Sequence, residues 1–134
     1  MIKNERGFSL IEVTIAIALL GIIGVAFLGA LSTASKALVI ADERTTAESL
    51  ARSQMEYVKN QSYIDYSIEG HDEYQKIEQQ PTGYEIELAV ELLDPENDGF
   101  DDDDGIQKII VNIYHHPDTD PDPVITLEGY KAAR

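Results

Sequence analysis

Gly7-Phe8-Ser9-Leu10-Ile11-Glu12-Val13 opens a run that continues to Leu31, reading GFSLIEVTIAIALLGIIGVAFLGAL over residues 7–31. After the glycine, the 24 residues Phe8–Leu31 carry only Ser9, Glu12 and Thr14 as polar side chains. As a helix the run measures about 36 Å at ~1.5 Å per residue, enough to cross a hydrocarbon core of ~30 Å. The preceding segment, MIKNERG, is short and polar, with Lys3 and Arg6 as its only positive charges. That flank favours an N-terminus kept on the cytoplasmic side. An ordinary secretory signal fits poorly, because its apolar core is shorter and ends in an A-x-A-like cleavage pattern. A plain signal anchor fits better but leaves Glu12 unexplained. A carboxylate inside a membrane helix costs on the order of 2.5–3.5 kcal/mol, so it calls for a partner. The nearest new cation would be the α-amino group of Phe8, were the chain cut between Gly7 and Phe8.

Those residues, in that register, closely resemble the class III signal of type IV pilins and type II secretion pseudopilins. The resemblance covers about the first 55 residues. It implies cleavage between Gly7 and Phe8 by a prepilin peptidase and N-methylation of Phe8. It also implies that Glu12 pairs with the N-terminal amine of a neighbouring subunit during assembly. The partners it implies are other pilin or pseudopilin subunits, that peptidase and an inner-membrane assembly platform. The segment Glu48–Lys59, ESLARSQMEYVK, is similar to that of minor pilins classed as modification or assembly proteins.

With 134 residues the chain has room for the anchor and one small domain. Its parts read as a leader over 1–7, a membrane or filament-core helix over 8–31, an amphipathic continuation over 32–60 and a head over 61–134. Residues 32–134 hold 8 basic and 23 acidic residues, so the charge lies outside the apolar run. Such a surface repels phosphate backbones, which argues against direct nucleic-acid binding. The chain has no cysteine, so no disulfide staples the head as one does in many pilins.

Between Leu31 and Asn60 good helix formers dominate, and no proline occurs before Pro81. Ala47, Leu50, Ala51, Met55 and Val58 recur at steps of three and four, one stripe facing a packed partner. Gly21, Gly24 and Gly29 either let neighbouring helices approach or soften the helix locally. Residues 61–81 read as a loop with one short strand near Tyr74–Glu78. Strands are predicted at Gly83–Leu93, Gln107–His115 and Pro123–Tyr130 from their alternation and bounding turns. The fold class is therefore α+β and pilin-like, a long helix on an antiparallel sheet of three to four strands.

The acidic stretch 94–105 has two readings. Asp94, Glu96, Asp98 and Asp102, with Gly99 at the bend, follow the spacing of a calcium loop. Glu96 stands where aspartate or asparagine is usual, and Gly105 stands in place of the bidentate glutamate. The other reading is a solvated acidic hairpin loop. His115, His116, Asp118 and Asp120 make a poor metal cluster, since adjacent strand residues point to opposite faces. No nucleophile motif, phosphate loop or zinc-protease motif is present, so no enzymatic role is expected and no cofactor is required beyond optional Ca2+. The expected function is a minor pilin or pseudopilin of a type IV pilus or related secretion filament. It would sit in the inner membrane with the head outside the cytoplasm, then in the filament. The competing expectation is a membrane-anchored calcium-responsive module that never polymerises.

Overall fold

The computed structural model describes residues 7–95, 103–116 and 121–133. One helix, α1 (Leu10–Asn60), is followed by β1 (Tyr84–Leu92), β2 (Ile106–His115) and β3 (Ile125–Ala132). Contacts divide the chain into two units, one ending at Ile40 and one beginning at Ala41.

In the first unit every described residue is exposed. The exposed set includes Phe8, Ile11, Leu20, Ile23, Phe27 and Leu31. A helix apolar on all sides has no preferred inward face, so its cover must be lipid or other chains. This part of α1 is long and apolar enough to cross a membrane. It begins at Leu10, two residues later than the expected Phe8.

In the second unit the predicted stripe is the buried one. Ala47, Leu50, Ala51, Met55 and Val58 form the helix side of the core, joined by Gln54. The sheet is antiparallel throughout, in the order β1-β2-β3. Register places Ile86 opposite Ile113, Val90 opposite Ile109, and Val111 opposite Leu127. Because side chains alternate along a strand, this register puts Ile86, Ile109, Val111 and Ile113 on one inward layer, all buried. The outward layer carries Glu87, Asn112 and Thr126 side by side across the three strands. Thr126 donates to Asn112 at 2.7 Å, and Asn112 to Glu87 at 3.2 Å.

Two expectations need correction. The third strand runs over Ile125–Ala132, beginning and ending two residues later than the expected Pro123–Tyr130, and Gly129 within it serves an approach and not a turn. A Cβ at Gly129 would lie 2.8 Å from Met55 Sδ, so the missing side chain lets β3 close onto the helix. The second correction concerns Tyr74–Glu78, which is not a strand, leaving a sheet of three. Its backbone is satisfied by side-chain amides that imitate a peptide. Gln54 Nε2 donates to the Gln75 carbonyl oxygen at 3.1 Å, while the Ile77 N–H donates to Gln54 Oε1 at 2.8 Å. Gln61 repeats the arrangement, receiving the Gln75 N–H at 2.8 Å and donating to the Gln75 carbonyl at 3.0 Å. A backbone group removed from water needs a partner, and in the part-buried bonds Gln54 supplies it.

The end of α1 is closed from the sheet. Lys131, only 7% exposed, donates from Nζ to the carbonyls of Val58, Lys59 and Gln61 at 2.7, 3.1 and 2.6 Å. All three ammonium donors are thus used on carbonyls that a helix terminus leaves open. The same ammonium lies 5.3 Å from the centroid of the Tyr74 ring. Burial pushes its pKa below the ordinary lysine range.

Candidate functional site

The helix start is built by four residues acting locally. Ser9 stands just before α1 and is its N-cap, with Oγ accepting the Glu12 N–H at 3.3 Å. Its carbonyl takes the first turn's N–H groups, from Glu12 at 3.0 Å and from Val13 at 3.2 Å. Glu12 is therefore the third helical residue, the position of the acidic member of a capping box, where the helix dipole also favours negative charge. Phe8 precedes the cap and Val13 follows it in the first turn, the two places that form a hydrophobic staple. Both line a shallow groove along the helix with Glu12, Ala16, Ile17 and Leu20. The S-x-x-E spacing of this cap was legible in the sequence, although the motif there was weighed for processing and assembly alone.

Gly7 and Phe8 lie outside the helix, with Phe8 82% exposed. A Cβ built at Gly7 meets nothing within 4 Å. Packing within this chain therefore does not demand a glycine there. Glu12 is exposed, and no described residue donates to its carboxylate. An acid on an otherwise apolar surface, without a donor of its own, is set up to pair outside the chain.

Of the four predicted calcium ligands only Asp94 is described, and it is half-buried; Glu96, Asp98 and Asp102 lie outside the described residues. Among the described residues no group of three or more histidines and carboxylates is placed to hold a metal ion. Asp103, which the sequence did not single out, is tied to the head. Asp103 accepts from the Tyr63 hydroxyl, from Gln107 Nε2 at 2.6 Å and from the Gly105 N–H at 2.9 Å. Gln107, fully buried, also donates to the Ile64 carbonyl at 2.7 Å and accepts from the Tyr74 hydroxyl at 2.9 Å. Burial, and then the bond to Asp103, push the Tyr63 phenol pKa up. The tyrosines of the 61–81 segment are thus structural anchors.

The histidine pair departs from expectation. β2 ends at His115, and His116 turns into the left-handed region at φ 53°. Their rings are consequently neighbours, 4.2 Å between centroids, and not on opposite faces. His115 Nδ1 meets Glu43 Oε1 at 2.7 Å and stacks on Tyr84 at 4.5 Å. Asp118 and Asp120 lie outside the described residues.

No curated protein and no solved structure matches the chain. A family model does match, described as the prokaryotic N-terminal methylation motif, over residues 2–28. That stretch contains the cap, the exposed Gly7 and Phe8, and Glu12, and the match is consistent with the class III signal of a type IV pilin-like protein.

Proposed function

We propose that the chain is a minor pilin or pseudopilin, a structural subunit of a type IV pilus or type II secretion-like filament. The precursor is cut between Gly7 and Phe8 and methylated on the new Phe8 amine. Its role is mechanical, not enzymatic. The apolar start of α1 holds the subunit in the inner membrane, head outside the cytoplasm, until the assembly platform extracts it into the filament core. There Glu12 pairs with the Phe8 amine of a neighbouring subunit and sets the axial register. In a dry core an unpaired carboxylate costs several kcal/mol, on the order of 3–5, so misaligned subunits are rejected. The acidic head faces solvent and partner proteins and does not bind nucleic acid.

The observation that carries this reading is the pairing of a fully exposed apolar helix start with one carboxylate that finds no donor among the described residues. Mass spectrometry of the native protein tests it. The expected N-terminus is N-methylated Phe8. A mature form that retains Met1 rejects the filament role in favour of the non-polymerising membrane module.

A further inference from the structure

We propose that Ser9 is a positioning residue for processing: by capping α1 it ends the helix just after the Gly7–Phe8 bond and keeps that bond out of the helical ladder for the peptidase. The inference rests on the processing reading given above. Hydrolysis of this bond adds the oxygen of water to the Gly7 carbonyl carbon and breaks the C–N bond, leaving a Gly7 carboxylate, while the Phe8 nitrogen takes both protons of the water and leaves as an ammonium group. The attacked carbonyl must be reachable. Were α1 one turn longer at its start, the Gly7 carbonyl would receive the Ile11 N–H in the ordinary helical ladder and lie against the helix. Nothing in the apolar run itself stops such an extension, since Phe8 and Leu10 are tolerable helix residues.

What stops it is Ser9. Its hydroxyl takes the Glu12 N–H at 3.3 Å, a bond available only when Ser9 is non-helical. Its carbonyl starts the ladder at Val13, 3.2 Å away. The outcome is a helix beginning at Leu10 with Gly7, Phe8 and Ser9 outside it. Gly7 assists through its own poor helix propensity, with open space around its Cα. The boundary between membrane helix and cleavable segment is thus written into the substrate, two residues beyond the cut.

The test compares full-length Ser9→Asn, Ser9→Gly and Ser9→Ala chains in detergent with a purified prepilin peptidase, following loss of Met1–Gly7 by mass spectrometry. Asparagine and glycine are both good N-cap residues, and alanine is not. Cleavage at limiting substrate is expected to stay within twofold for Asn and Gly. For Ala it falls about fivefold, the ratio matching ~1 kcal/mol of lost capping. In parallel, the Phe8 Cα chemical shift moves toward its helical value in Ser9→Ala only. Equal slowing of Gly and Ala overturns the inference, because it assigns the hydroxyl to direct contact with the peptidase. Equal rates for Ala and wild type, with wild type fully cleaved, overturn it while leaving processing intact. A wild-type chain that is never cut removes the processing reading and this inference together.

Discussion

Lys131 Nζ lies 2.7 Å from the carbonyl oxygen of Val58, joining the last turn of α1 to the third strand of the sheet. With no disulfide in the chain, this contact and its two companions fasten the helix end to the head. Replacing Lys131 by Met keeps the stem's packing and removes every donor. Stability is expected to fall by ~2 kcal/mol, the scale of hydrogen bonds made by a charged group. Urea denaturation of the full chain in micelles, followed by tyrosine fluorescence, measures this directly. A loss below half that figure would show the carbonyls to be as well served by water.

Gln54 is expected to matter as much as any apolar core residue beside it. A Gln54→Leu change fills the same space but strands the Ile77 N–H and one bond of the Gln75 carbonyl. The cost is about 1–3 kcal/mol, that of leaving buried polar groups unmade. Hydrogen exchange at the Ile77 amide should accelerate to the rate of an open loop while the β2 amides stay protected. Unchanged exchange at Ile77 would place its donor elsewhere.

The outward face offers a pH signature. Bonds from Asn112 and then Tyr114 hold the Glu87 carboxyl below the ordinary carboxylate range. A depressed folded-state pKa contributes stability that is complete above the unfolded value, about 4.3 for glutamate, and is lost as pH falls through the folded value. Carbon-detected NMR should find Glu87 titrating below the ordinary glutamate value, and Tyr114→Phe should move its midpoint upward. A midpoint that ignores the substitution would contradict the bond.

In the filament, Glu12→Ala removes the proposed partner of the neighbouring amine. Processing should continue, since the cap bond uses the Glu12 backbone N–H. Incorporation into sheared filaments is expected to fall at least tenfold against a co-expressed wild-type copy. Normal abundance in the fibres would leave the register to packing alone.

Much of this was readable from residue order. The stripe from Ala47 to Val58 and the alternation of Tyr84–Leu92 are periodic signals, and burial follows them because each faces one apolar layer. One departure has a polar residue doing work that patterning assigns to apolar or backbone groups. Gln54 falls on the buried stripe, four residues after Leu50 and four before Val58, yet a count of apolar positions passes over it. Its amide replaces strand pairing for residues 75–77, so the expected fourth strand never needed to form. Gly129 lies inside β3 and yields room to Met55, a role that alternation does not signal. His116 left the strand's alternation through a positive φ that no neighbouring residue announces. At the helix start, Ser9 and Glu12 were visible as a spacing, but only the hydrogen bond shows which residue ends the helix.

The clasp on the last turn also has a history in time. Lys131 is made 73 residues after Val58, so a ribosome adding ~5–20 residues per second leaves that turn uncapped for several seconds or longer. The apolar start of α1 is therefore complete before the strand that clasps its far end has been made.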